Sequence, residues 1–131
     1  MDARLDEIAR QHGIELILLF GSSVSGSVHP RSDVDLAVLL DRPSLPLREH
    51  AELAGELQRL FPDREVDLAV INRADPLFLK KITERCRLVY GSPRRLAELK
   101  LYAFRRYQDH RKYLTLERLY VTRTLGARGG P

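Results

Sequence analysis

The chain has 131 residues, of which 22 are Lys or Arg and 18 are Asp or Glu, so its formal net charge is +4. This length suits one domain and leaves no room for a second catalytic domain. The single cysteine excludes an intramolecular disulfide, and no apolar run approaches the roughly 20 residues that a membrane-spanning helix needs. We therefore expect a cytoplasmic protein without a membrane segment.

The spacing of apolar residues predicts an alternation of helices and strands. The predicted elements are helix 2–12, strand 15–20, strand 33–40, helix 47–61, strand 65–71, helix 75–86, strand 87–90 and a long helix from residue 94. This order indicates an α/β (α+β) domain in which helices flank a sheet.

The charges divide the chain into two parts. Residues 94–131 contain ten Lys or Arg against three Asp or Glu, whereas residues 1–93 contain twelve against fifteen. We expect residues 1–93 to form the domain and residues 94–125 to form a basic helical extension that packs on the domain, on a partner or on both. The Gly-rich residues 126–131 are predicted to be disordered.

Two aspartates open the second predicted strand, shortly after a Gly-Ser turn. Asp33 and Asp35 are two positions apart, so they share one face of a strand. Neighbouring carboxylates repel each other, and a hard divalent cation such as Mg²⁺ or Mn²⁺ removes that conflict. Gly21 permits close approach of the backbone to a ligand, and Ser22 or Ser23 can begin a helical turn whose N–H groups face a phosphate.

The third predicted strand repeats part of the second. The sequence Val-Asp-Leu-Ala-Val occurs at residues 34–38 and again at residues 66–70. If the two strands are neighbours, Asp67 lies beside Asp35 on the same face, and the small Ala37 and Ala69 leave room there. The repeat therefore predicts a cluster of three carboxylates.

Gly21-Ser22, ten residues and then Asp33-Val34-Asp35 resemble the motif of nucleotidyltransferases related to DNA polymerase β. The short chain is most similar to the minimal nucleotidyltransferases (MNT), including the MntA-like antitoxins of HEPN/MNT toxin–antitoxin pairs. The resemblance covers about residues 15–90. It implies a nucleotidyltransferase-type mixed sheet flanked by helices, with a C-terminal helical extension.

The same resemblance implies an activity and its residues. Asp33, Asp35 and Asp67 would be catalytic and would bind two Mg²⁺ ions, with Mn²⁺ as a substitute, while Gly21, Ser22 and Ser23 would bind the triphosphate of ATP. The product would be AMP attached to a hydroxyl, by resemblance that of a tyrosine, on a HEPN toxin. The implied partners are this toxin and a nucleoside triphosphate. From the sequence itself we expect no membrane contact, and direct nucleic-acid binding is disfavoured because the arginines of the extension are scattered and have no stacking platform.

Other functions stay open at this point. Ser23 and Ser25 occupy positions at which many family members carry basic residues, which favours an antitoxin that neutralises its partner by stoichiometric binding alone. Binding of nucleic acid through the basic extension is a third interpretation, and it requires a strong salt dependence. Transfer to a small cationic acceptor is a fourth, for which the sequence shows no clear acidic pocket.

Overall fold

The computed structural model describes residues 3–24 and 33–129. Within these ranges the main elements are α1 Ala3–His12, β1 Ile14–Phe20, β2 Val34–Leu40, α2 Leu47–Arg59, β3 Val66–Val70, α3 Pro76–Glu84, β4 Cys86–Tyr90 and α4 Pro93–Gly129. A single 3-10 turn covers Gly21–Val24. No helix of the described residues is both long and apolar enough to cross a membrane.

The four strands form one mixed sheet in the order β3-β2-β1-β4. β1 is antiparallel to β2 and β4, whereas β2 and β3 are parallel. Helices cover both faces of the sheet, so the predicted mixed sheet flanked by helices is confirmed.

Alternate residues of the central strand β1 enter two separate cores. Ile17 is fully buried in a cluster with side chains of α1 and α2, including Ile8 and Leu53. Leu16 and Leu18 are fully buried on the other face, in a cluster with side chains of α3 and α4, such as Ile82, Leu79, Leu99 and Ala103. A strand that is buried on both faces has the nearly continuous apolar sequence that β1 shows.

The register defines two ends of the sheet. Phe20 pairs with Asp35 in β2 and with Cys86 in β4, and Asp35 pairs with Asp67 in β3. These residues lie at one end of the strands, which we call the aspartate end. We call the opposite end of the strands the Ile14 end. At the Ile14 end, Asn72 secures the chain by donating to the carbonyl oxygen of Leu40 and accepting from its N–H, both at 2.8 Å.

One boundary differs from the sequence-based expectations. Cys86 was expected in helix 75–86 but begins β4, because α3 ends at Glu84 and the backbone of Arg85, with φ −134° and ψ 81°, is not helical. At the C-terminus α4 is described as far as Gly129. The disorder predicted for residues 126–131 stays a prediction. Residues 130 and 131 lie outside the described part of the chain.

Candidate active site

The aspartates of β2 and β3 lie side by side. In the parallel register Val34–Val38 pairs residue by residue with Val66–Val70, so Asp35 is directly opposite Asp67. Ala37 is buried on the α3/α4 face of the sheet and Ala69 packs against the same cluster. Because side chains alternate along a strand, both aspartates are on this face as well. The repeated pentapeptide thus forms two neighbouring strands in register, as predicted.

Asp35 experiences the repulsion expected of clustered carboxylates. Burial raises the pKa of the Asp35 carboxyl above its ordinary value, and the negative charges of Asp67 and Asp33 raise it further. Asp33 immediately precedes β2 and is exposed, as is Asp67, whereas Asp35 is half-buried. A positive ion at this end of the sheet would reverse the effect by favouring the ionised carboxylates.

Gly21 brings the backbone against Asp35. Its φ is +68°, and a Cβ at this position would lie only 2.7 Å from Asp35 Oδ2. Glycine therefore serves both the left-handed conformation and the close contact. The turn Gly21–Val24 that follows contains the backbone of Ser22 and Ser23, whose side chains lie outside the described part, as does all of Ser25.

The chemistry of this donor set suits a hard divalent cation bound by few protein ligands. Among the described residues, no three His, Cys, Asp or Glu side chains are arranged to bind one metal ion. The predicted carboxylates are gathered at one end of the sheet but do not converge on a single point. Mg²⁺ commonly takes only one or two carboxylates and completes its coordination with water and substrate phosphates. A pair such as Asp33 and Asp35 fits that mode of binding.

An aromatic pair borders the aspartates. Phe20 and Phe78 pack edge to face with ring centroids 6.1 Å apart, and Phe20 is the β1 partner of Asp35. Phe78 remains 38% exposed. The sequence gives no signal for this pair because Phe78 comes from α3, far along the chain, and fits equally well an ordinary apolar helix face.

A second polar cluster, on the α1/α2 face, was also missed by sequence analysis. The buried His12 has its Nδ1 atom 3.0 Å from Glu49 Oε2 and its Nε2 atom 3.2 Å from Glu56 Oε2. Arg42 donates to Glu49 and, at 3.4 Å, to the carbonyl oxygen of His12. Hydrogen bonds from Arg42 and His12 lower the pKa of Glu49. These contacts join α1 to α2 and belong to the Ile14 end, away from the aspartates.

Comparison with known proteins assigns the fold and the family. The model of the family described as Polymerase beta, Nucleotidyltransferase matches residues 4–95. The match covers more than half of the chain, so the chain belongs to this nucleotidyltransferase family, and the resemblance noted in the sequence is confirmed. No curated protein sequence matches the chain significantly.

Several solved structures have a fold similar to that of this chain. A chain from the crystal structure of a toxin–antitoxin with AMP-PNP is 25% identical, with a TM-score of 0.71 over 93% of this chain and 95% of that chain. A chain from the complex of tri-AMPylated Shewanella oneidensis HEPN toxin with MNT antitoxin is 22% identical, with a TM-score of 0.65 over 93% and 92%. Spectinomycin adenyltransferase AAD(9) from Enterococcus faecialis, with ATP and spectinomycin, is 16% identical, with a TM-score of 0.55 over 73% and 56%. The last two similarities concern the fold alone.

Proposed function

We propose that the chain is the antitoxin of a HEPN/MNT pair and transfers AMP from ATP to a tyrosine hydroxyl of its HEPN toxin, here called the HEPN partner. The observation that carries the proposal is the register that sets Asp35 opposite Asp67, next to the Gly21 turn, at one end of a nucleotidyltransferase sheet. The similar toxin–antitoxin structure with AMP-PNP supports ATP as the donor. The cytoplasm is the compartment in which such a pair would act.

Each site residue has a proposed role. Asp33 and Asp35 would hold Mg²⁺ or Mn²⁺, and Asp67 would complete the carboxylate set on the side of the acceptor. The backbone at Gly21, with Ser22 and Ser23, would bind the triphosphate. When bound, the cation would neutralise part of the phosphate charge and lower the pKa of the acceptor hydroxyl.

The proposed reaction is an in-line displacement at the α-phosphorus of ATP. The acceptor oxygen forms a bond to this phosphorus, while the bond from the α-phosphorus to the bridging oxygen of the β-phosphate breaks. Pyrophosphate leaves with that electron pair, and the hydroxyl proton passes to Oδ of Asp67 and then to solvent. In this proposal the chain binds the donor ATP, and the HEPN partner supplies the surface that carries the acceptor hydroxyl. We assign the docking site for that partner to the basic extension at residues 94–125.

One observation favours a second candidate, a non-catalytic antitoxin that acts by stoichiometric binding. Ser23 and Ser25 occupy positions at which many family members carry basic residues, so these positions supply no positive charge for a triphosphate. An antitoxin of this kind would bind the HEPN partner through the same extension and leave it unmodified.

Isotope labelling separates the two candidates. The purified chain and the HEPN partner are incubated with Mg²⁺ and ATP that is labelled with ³²P at either the α- or the γ-phosphate. Adenylyl transfer predicts label on the partner from α-labelled ATP only. Label from γ-labelled ATP would indicate phosphorylation instead, and a bound but unlabelled partner would support the stoichiometric antitoxin.

A further inference from the structure

Helix α4 runs along the α3/α4 face from the Ile14 end to the aspartate end. Near its start, Arg95 Nε lies 2.8 Å from Oε2 of Glu15, which belongs to the beginning of β1. Three turns later, Tyr107 contacts the middle of α3, where Lys80 Nζ lies 4.7 Å from the centroid of the Tyr107 ring. Since α3 ends just before Cys86 at the aspartate end, α4 passes this end shortly after Tyr107.

Beyond this end the helix has no cover from the rest of the described chain. Residues 111–123, which we call the arm, are all exposed and extend for about 20 Å at the helical rise. They nevertheless include six large apolar or aromatic side chains: Tyr113, Leu114, Leu116, Leu119, Tyr120 and Val121. A helix with this much exposed apolar surface is typical of one that becomes buried in a complex.

The helical phase separates the arm into two sides. Leu114 and Val121 follow Ala103 by about three and five turns, so they continue the line of the residues that α4 buries against the sheet and α3. They are 42% and 46% exposed, whereas Ala103 is 1% exposed. This inner side therefore faces the space just beyond the aspartate end. Leu116 and Leu119 lie about half a turn away, on the outer side.

Charge indicates what covers the arm. The whole arm carries four basic residues and one acidic residue. By the helical phase Arg111 and Arg118 flank the inner side, where Glu117 also lies, whereas Lys112 and Arg123 lie on the outer side. Two arms from separate copies of the chain would bring like charges together and repel each other. An acidic protein surface with an apolar strip complements both features of the arm.

We propose that the inner side of the arm, at Leu114 and Val121, docks an acidic, apolar helical surface of the protein that carries the acceptor hydroxyl. Docking there sets that protein in the corner between the arm and the aspartate end, where its hydroxyl can reach the donor phosphate. The proposal rests on the proposed function for the identity of the partner, and it assigns the contact to one side of the helix.

Matched double variants of the full chain test the choice of side. Leu114→Glu with Val121→Glu changes the inner side, and Leu116→Glu with Leu119→Glu adds the same charge to the outer side. Affinity for the purified HEPN partner is measured without nucleotide by biolayer interferometry, after circular dichroism has established equal helix content. We expect at least about a 30-fold loss of affinity for the inner variant and a change within about threefold for the outer one.

Other results of these measurements would overturn either the docking proposal or the proposed function. Equal or greater loss in the outer variant overturns the proposal, as does a wild-type chain that fails to bind the HEPN partner. Sedimentation velocity is run in parallel, because a homodimer that the inner variant disrupts would identify a second copy as the occupant and also overturn it. Binding with the expected pattern but without adenylyl transfer would contradict the proposed function and leave the docking surface intact.

Discussion

Replacing Asp35 with Asn should stabilise the domain while it abolishes nucleotidyl transfer. Burial raises the pKa of Asp35, and the charges of Asp67, which lies directly opposite, and of Asp33 raise it further. Cross-strand charge pairs are worth roughly 0.2–1 kcal/mol, so removing the half-buried charge together with its repulsion from Asp67 and Asp33 should add about 0.5–1.5 kcal/mol to the free energy of unfolding. For a domain of this size that corresponds to a rise in Tm of about 2–6 °C.

The pH dependence shows whether the charge of Asp35, disfavoured by burial and by its carboxylate neighbours, is what the substitution relieves. Because the pKa of Asp35 is raised in the folded state, its ionisation opposes folding; the penalty is absent below the ordinary pKa of Asp and appears as pH rises through the folded value. The difference in Tm between Asp35→Asn and wild type should therefore be full at neutral pH and vanish near about pH 3.

Differential scanning calorimetry across this pH range, in low salt and without divalent cations, measures the difference. Asp63→Asn, at an exposed loop position before β3, removes one charge elsewhere and should leave Tm nearly unchanged. A lower Tm for Asp35→Asn at neutral pH, or a difference that persists in acid, would refute the conclusion that the charge of Asp35 destabilises the fold.

Further predictions concern glycines and one carboxylate. Gly21→Ala should lower stability by about 1–3 kcal/mol and abolish transfer. Gly13 has a similar φ and an equally close carboxylate at the Ile14 end, so Gly13→Ala should lower stability but leave transfer intact. Equal loss of transfer in both variants would contradict a local effect of Gly21 on the site. Gly55→Ala, where an added Cβ meets nothing within 4 Å, should stabilise α2 by about 0.5–1 kcal/mol in urea unfolding. Because the pKa of Glu49 is lowered, its ionised form stabilises the fold above the ordinary pKa of Glu, and this stabilisation is lost as the pH falls. Glu49→Gln should therefore make the free energy of unfolding depend less on pH on the acid side. An unchanged pH profile would argue against the contact of Glu49 with Arg42.

The sequence was most informative where local pattern and tertiary pairing agree. Identical pentapeptides with one buried face form neighbouring strands in register, so the position of Asp67 beside Asp35 could be predicted from sequence. The Gly-Ser turn before β2 was predicted for a different reason: its spacing from Asp33 matches a known motif. The roles of these residues in catalysis stay predictions.

Contacts between distant segments were not predictable. Nothing near His12 in the sequence indicates Glu49 and Glu56 as its partners, because they meet only when α1 and α2 pack on the same face. The contact of Gly21 with Asp35 Oδ2 likewise depends on the exact approach of two strands across a loop. The apolar stripe of α4 was visible in the sequence, but its emergence beyond the sheet depends on where α3 and the strands end.

Intact-mass spectrometry of the HEPN partner tests the proposed activity most directly. The partner is incubated with the wild-type chain, Mg²⁺ and ATP, and in parallel with an Asp33→Asn/Asp35→Asn variant whose folding is checked by circular dichroism. We predict mass increments of AMP with the wild-type chain and an unchanged mass with the variant. Increments that persist with the variant would contradict the assignment of the site, and an unmodified partner that remains bound to the wild-type chain would contradict the transferase and support an antitoxin that acts by binding alone.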